Sequence, residues 1–196
     1  MDGTQAGEGK LAFTLRPPIG IVGAISPFNF PLNLVAHKIA PALAAGCTVV
    51  LKPAEWSPLS AALLAELAGE AGLPPGVLNV VQGIGEEAGA ALVSHPLIRR
   101  VSFTGSPETG RHIAGAAAAN LVPFTAELGG KNPFLVFEDA DLDRAVQGAM
   151  LAKMRNGGEA CTAANRFHVA ESVREEFTRR LAEKMGSLKI GRGTED

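Results

Sequence analysis

Short apolar runs alternate with stretches of helical spacing along most of the chain. IGIVGAI (19–25) is rich in β-branched residues and is bounded by prolines and by SPFNFP, so it predicts a buried strand followed by a loop. Residues 31–45 place apolar side chains at helical spacing and stop at Gly46, a residue suited to the position just past a helix end. CTVVLK (47–52) predicts a second buried strand, and LSAALLAELAGEAG (59–72) a helix ending at Gly72 before two prolines. The pattern continues with strand 77–82, helix 86–95, strand 98–105 and helix 106–119. Strands 122–128 and 132–137 follow. A helix over 141–154, strand 166–170 and a helix over 172–185 complete the chain. Residues 1–16 read as a poorly ordered lead-in or the tail of a missing element. Strand then helix, repeated, predicts an α/β fold with a parallel sheet covered by helices on both faces. Such sheets bind ligands at the carboxyl ends of their strands.

Composition narrows the class. The chain has 196 residues, 46% of them hydrophobic, and a formal net charge of −2. It can bury a real core, and no basic run points to nucleic acid. The stretch from Leu32 to Leu51 is broken by His37, Lys38 and Pro41, so no membrane span is expected. The first twenty residues lack the pattern of a signal peptide. The two cysteines, Cys47 and Cys161, form no CxxC pair, which argues against a disulfide framework or a zinc site. A soluble, reducing, cytoplasmic setting is the expectation.

Five short motifs carry candidate chemistry. Cys161 lies in NGGEACTAAN, where two glycines permit a tight bend and an Ala-rich stretch reads as helical. A thiol near a helix start would have its thiolate favoured by the helix dipole. Taken alone, it reads more readily as a small buried core residue, as most lone cysteines are. Glu127 ends an apolar strand before Gly129 and Gly130, a place from which a carboxylate can act as a general base, though taken alone it reads more readily as a surface Glu before a turn. Asn29, in SPFNFP, offers an amide to a developing oxyanion, or it satisfies a turn. Lys52 and Glu55, in LKPAEWSP, follow the second strand, where a carboxylate could accept from ribose hydroxyls. GSPETG (105–110) joins a strand to a helix whose N-terminus could face a phosphate. It matches neither GxGxxG nor a P-loop.

In their order, PFNFP, LKPAE, FTGSPETG, ELGGK and GGEAC resemble the aldehyde dehydrogenase superfamily, and the resemblance runs from about Arg16 to Asp196. It implies a Rossmann-like dinucleotide-binding domain over 1–128, lacking its N-terminal elements, and the start of the catalytic α/β domain over 129–196. It implies Cys161 as nucleophile, Glu127 as general base, and Asn29 with the backbone N–H of Cys161 as the oxyanion hole. Lys52 and Glu55 would hold the adenosine ribose, Gly105 and Ser106 the pyrophosphate. Phe28 would lie between cofactor and substrate, and Leu128 would make a backbone contact near the nicotinamide. No metal is implied.

The cofactor implied is NAD, with NADP as the alternative. Glu55 tilts the choice, since a carboxylate repels a 2′-phosphate. The substrate is a small-molecule aldehyde. NGGEACTAANRF resembles succinate-semialdehyde dehydrogenases, whereas FTLRPPIG and PLNLVAHKIAP resemble lactaldehyde and non-phosphorylating glyceraldehyde-phosphate relatives. A full-length member is a homo-oligomer, dimer or tetramer.

Two departures stand out. Glu159 occupies a place where many members have Gln, and a carboxylate there would oppose thiolate formation if it faced Cys161. Pro107 stands where Thr is commoner, which a helix's first turn tolerates. The chain is also less than half the length of a full member. It reads as a fragment, expected to be poorly soluble or inactive by itself. Two other functions compete: a CoA-acylating aldehyde dehydrogenase, against which Glu127 argues, and a non-catalytic dinucleotide-binding fragment.

Overall fold

The structure is a computed structural model that describes residues 4–194. Of the lead-in predicted over 1–16, residues 1–3 lie outside that range. Gln5–Gly7 forms a short 3-10 turn, and no regular element follows until Ile21.

The chain forms two compact units. The first comprises the described residues through Thr104 together with Glu108–Ala126. Its elements are β1 (Ile21–Ile25), α1 (Asn33–Ala44), β2 (Thr48–Lys52), α2 (Leu59–Glu70) and β3 (Leu78–Val80), then α3 (Ala90–Ser94), β4 (Ile98–Gly105), α4 (Pro107–Ala119) and β5 (Phe124–Leu128). The five strands are ordered β3-β2-β1-β4-β5. β1 pairs in parallel with both β2 and β4, and β2 with β3. The chain thus winds outward from β1 to β3, returns, and continues on the other side of β1. The reversal falls between β1 and β4, the place where such sheets open a ligand crevice at their carboxyl ends.

Alternation within β1 sets the two faces. Val22 and Ala24 join Val35, Ile39, Val49, Leu51 and Ala61 in a core beneath α1 and α2. Ile25 joins Val93, Val101, Phe103, Ile113 and Ala117 beneath α3 and α4. Successive strand side chains point to opposite faces, so strands buried on both faces read as continuous apolar runs.

Both predicted helix-stop glycines act as such. Gly46 has φ +76°, its N–H donates to Leu43 O, and Cys47 N–H donates to Ala42 O. Gly72 has φ +92°, with the same paired bonds to Gly69 O and from Leu73 N–H to Ala68 O. These left-handed turns satisfy carbonyls that the helix leaves open. The helix predicted over 86–95 is instead a π turn, Gly85–Gly89, leading into the short α3. Gly83 enters it at φ +150°, where an added Cβ would lie 2.8 Å from the Cβ of Ala88.

The second unit comprises Gly105–Pro107 and the described residues from Glu127 onward. Its elements are β6 (Asn132–Val136), α5 (Leu142–Met154), β7 (Ala164–Val169) and α6 (Glu171–Gly186). β6 and β7 pair in parallel. One face of this pair packs Phe134, Val136, Phe167 and Val169 against Val146, Ala149 and Phe177 of the two helices. The intervening β6 side chain, Leu135, is exposed, as is Phe137 just beyond the strand. Asp141 caps α5 by accepting from the N–H groups of Asp143 and Arg144, a contact worth about 1 kcal/mol.

Candidate functional site

In the first unit, the segments after β1 and β2 are tied together. Phe28 and Asn29 follow β1, and Lys52 ends β2. The Lys52 side chain is almost fully buried, and its Nζ lies 2.7 Å from Glu55 Oε2. Ser57 Oγ donates to Phe28 O at 3.2 Å, and the Phe28 and Trp56 rings sit 6.2 Å apart. Phe28 is 45% exposed and Asn29 half-buried. The hydrogen bond from Lys52 holds the Glu55 carboxyl below its ordinary range, so Glu55 stays an anion through neutral pH. A depressed carboxyl stabilises the fold above its unfolded pKa, and that stabilisation fades as pH falls through the folded one.

A buried amine near this region escaped the sequence reading. Lys38, on the face of α1 turned toward the sheet, is 5% exposed, and its Nζ donates to Thr104 Oγ1 at 2.6 Å. Its partner lies far away in sequence. The available signal was a lysine spaced with Val35 and Ile39 in an apolar helix.

The second unit holds the other candidates. Glu127 and Leu128 are exposed at the end of β5. Gly105 is half-buried and Ser106 exposed, ahead of Pro107, the first residue of α4. Proline at that position gives up an N–H that the helix would leave open in any case. Gly129 lies against this bend, since an added Cβ there would sit 3.9 Å from Pro107 Cδ. Among the described residues, no group of His, Cys, Asp and Glu could hold a metal ion. No described helix is long and apolar enough to cross a membrane.

Cys161 is exposed, whereas Cys47 is buried, and both are free thiols. The helix expected after Cys161 is absent. Cys161 and Thr162 form a turn closed by Ala163 N–H on Ala160 O at 2.9 Å, and β7 starts at Ala164. Three small residues are too few to nucleate a helix, and the β-favouring run Arg166–Val169 draws the chain into the sheet. The predicted helix dipole therefore does not act on this thiol. Upstream, Gly157 and Gly158 take positive φ of +65° and +84°, which accounts for the two glycines, and Asn156 is left-handed as well. Glu159 is exposed, and its N–H donates to Asn156 O. Arg155, exposed where α5 ends, belongs to the same loop and was passed over in the sequence.

The segments around Glu127 and Cys161 are joined by side chains that the motifs did not single out. Asn132 Nδ2 donates to Cys161 O at 2.9 Å and to Ala163 O at 3.3 Å. Asn165 Nδ2 donates to Gly130 O at 3.1 Å, while its Oδ1 accepts from Lys153 Nζ. The Arg166 guanidinium donates twice to Lys131 O.

A model described as "Aldehyde dehydrogenase family" matches residues 1–196. Three curated relatives illustrate the likeness. A succinate-semialdehyde dehydrogenase of Paenarthrobacter nicotinovorans is 52% identical over 98% of the chain and 43% of its own length. A glutarate-semialdehyde dehydrogenase of Pseudomonas putida is 48% identical over 95% and 39%. The succinate-semialdehyde dehydrogenase [NADP(+)] GabD of Escherichia coli is likewise 48% identical over 95% and 39%. The chain thus spans about two fifths of the length of these relatives. Among solved structures, a succinate-semialdehyde dehydrogenase from Burkholderia pseudomallei superposes with TM-score 0.89 at 49% identity, over 92% of this chain and 38% of that one. A betaine aldehyde dehydrogenase from Staphylococcus aureus in complex with NAD+ gives 0.88 at 41% identity, over 91% and 35%.

Proposed function

This chain belongs to the aldehyde dehydrogenase family, and we propose that the whole protein carrying it oxidises an aldehyde to a carboxylic acid with NAD(P)+. The observation that carries this reading is an exposed thiol, Cys161, on a loop bonded to the segment that follows a carboxylate, Glu127. The thiolate of Cys161 adds to the aldehyde carbon. The oxygen becomes an anion, which the Asn29 amide and the Cys161 N–H stabilise more strongly than the starting carbonyl. A nicotinamide cofactor held by Lys52, Glu55, Gly105 and Ser106 would supply a hydride acceptor, and loss of hydride from the adduct would leave a thioester on Cys161. Glu127 takes a proton from water, the water attacks the thioester, and the thiolate leaves as the acid forms.

The residues present fit a dinucleotide. Buried Lys52 and anionic Glu55 would hold the adenosine ribose, with Gly105 and Ser106 at the pyrophosphate. Phe28 would line the space between cofactor and substrate, and Leu128 would offer a backbone contact near the nicotinamide. Glu55 favours NAD over NADP. Glu55→Ser is expected to raise the ratio of kcat/KM for NADP+ over NAD+ by roughly tenfold or more. An unchanged ratio removes Glu55 from cofactor choice.

The substrate class is an aldehyde with a second, anionic group, succinate semialdehyde being the example. The semialdehyde names of the relatives support this, as does Arg155 in the Cys161 loop. Arg155→Met should raise KM for succinate semialdehyde by roughly tenfold or more, through loss of a charge-assisted contact, and leave KM for butyraldehyde near its original value. Equal effects on both aldehydes would remove Arg155 from substrate recognition. The proposed setting is a cytoplasmic homo-oligomer.

The activity itself is tested by mixing the whole protein with succinate semialdehyde and NAD+ or NADP+, with and without coenzyme A. The expected result is cofactor reduction and free succinate without coenzyme A. Succinyl-coenzyme A as the sole product indicates the acylating branch, and cofactor binding without turnover a non-catalytic role.

A further inference from the structure

β6 and β7 do not zip together evenly where they begin. Their register runs from Asn132↔Ala164 directly to Pro133↔Arg166, so Asn165 is an extra residue on β7. Pro133 has no N–H to give to the ladder. At the point where the Cys161 turn enters the strand, the regular register of the ladder is therefore interrupted. Bulges of this kind often redirect a side chain beside a functional site.

Side-chain amides occupy the gap. The two Asn132 Nδ2 hydrogens reach Cys161 O and Ala163 O, bracketing the turn that presents the thiol. In the opposite direction, the bulged Asn165 bonds Gly130 O, in the segment that follows Glu127. Each strand's asparagine thus holds the backbone that leads into the other strand. Gly130 is part of the same fit. A Cβ on it would lie 3.2 Å from Cys161 O and 3.0 Å from Asn132 Nδ2, so a larger residue would push the turn away.

We propose that Asn132 and Asn165 form a reciprocal amide clamp that positions the Cys161 turn against the Glu127–Gly130 segment, with Asn132 the principal positioning residue. The inference rests on the reading of Cys161 as nucleophile. An amide is required because the groups to be held are carbonyl oxygens. Aspartate has the same shape but accepts only, so it would repel both. The clamp fixes the peptide that carries the thiol and so fixes the direction in which the thiol points. Small displacements of a reacting group are costly to rate.

The test uses the whole protein carrying Asn132→Asp, Asn132→Ser or Gly130→Ala, with Cys161→Ser as reference. Hydrogen exchange over residues 159–167 reads the clamp. The pre-steady-state burst with p-nitrophenyl acetate, which needs no cofactor, reads acylation of the thiol. Asn132→Asp should speed exchange in that segment by about tenfold while β1–β4 keep their protection, and slow the burst by about tenfold or more. Asn132→Ser, which keeps one donor, should fall between. Gly130→Ala should shift both readouts the same way and stands in if the aspartate variant does not fold. Unchanged exchange refutes the clamp. Faster exchange with an unchanged burst reduces it to a structural tie and refutes the positioning role. Absence of any Cys161-dependent burst in the unsubstituted protein is a different failure, that of the nucleophile itself, and the positioning role falls with it.

Discussion

Cys161→Ser is expected to abolish aldehyde oxidation, lowering kcat by about 10⁴-fold or more. Two properties of the thiol are lost together. A serine hydroxyl is scarcely ionised at neutral pH, so addition to the aldehyde slows. An ester formed at serine also releases its acyl group less readily than a thioester. The substitution is nearly isosteric, and Cys161 is exposed in a turn, so fold and cofactor affinity should persist. Cys47 serves as the control, being buried in the β1–β2 core. Stopped-flow turnover and cofactor titration on the same samples give the comparison. Turnover within tenfold of the original would show that another group attacks the aldehyde.

Glu127→Gln should produce a different defect, with steady-state kcat falling by roughly 10²- to 10⁴-fold. Attack by Cys161 and hydride departure do not need the base, so the first turnover should still run. Reduced cofactor should appear in a burst close to one equivalent and then almost stop. Glutamine keeps the shape of Glu127 but cannot accept the proton of water. The deficit therefore concentrates in hydrolysis of the thioester. Added hydroxylamine, a nucleophile that needs no base, should restart turnover. Equal loss of burst and steady rates would assign Glu127 to the first half of the reaction or to the fold.

Much of the framework was legible because its signals are local. β1 and β2 read as apolar runs since both of their faces are buried, and Gly46 and Gly72 read as helix ends since a left-handed turn needs them. Lys52 and Glu55 lie close enough in sequence for their pairing to be suspected. What escaped depended on partners remote in the chain. Lys38 is accommodated in an apolar helix because Thr104 Oγ1 accepts a hydrogen bond from its Nζ. The segment after Cys161 reads as helical from its alanines, yet the sheet takes it, with Asn132 bracketing the turn from the neighbouring strand. The bulge at Asn165 has no local mark beyond Pro133, which becomes meaningful only once β6 and β7 are paired.

The central claim is that Cys161 holds the acyl group while Glu127 brings in water. It is tested most directly by acid-quenching Glu127→Gln after one turnover with succinate semialdehyde and oxidised cofactor, then mapping the adduct by peptide mass spectrometry. The account predicts a succinyl mass on the peptide bearing Cys161, lost on treatment with hydroxylamine. A burst of reduced cofactor with that peptide unmodified, or with the acyl group on another residue, would contradict it.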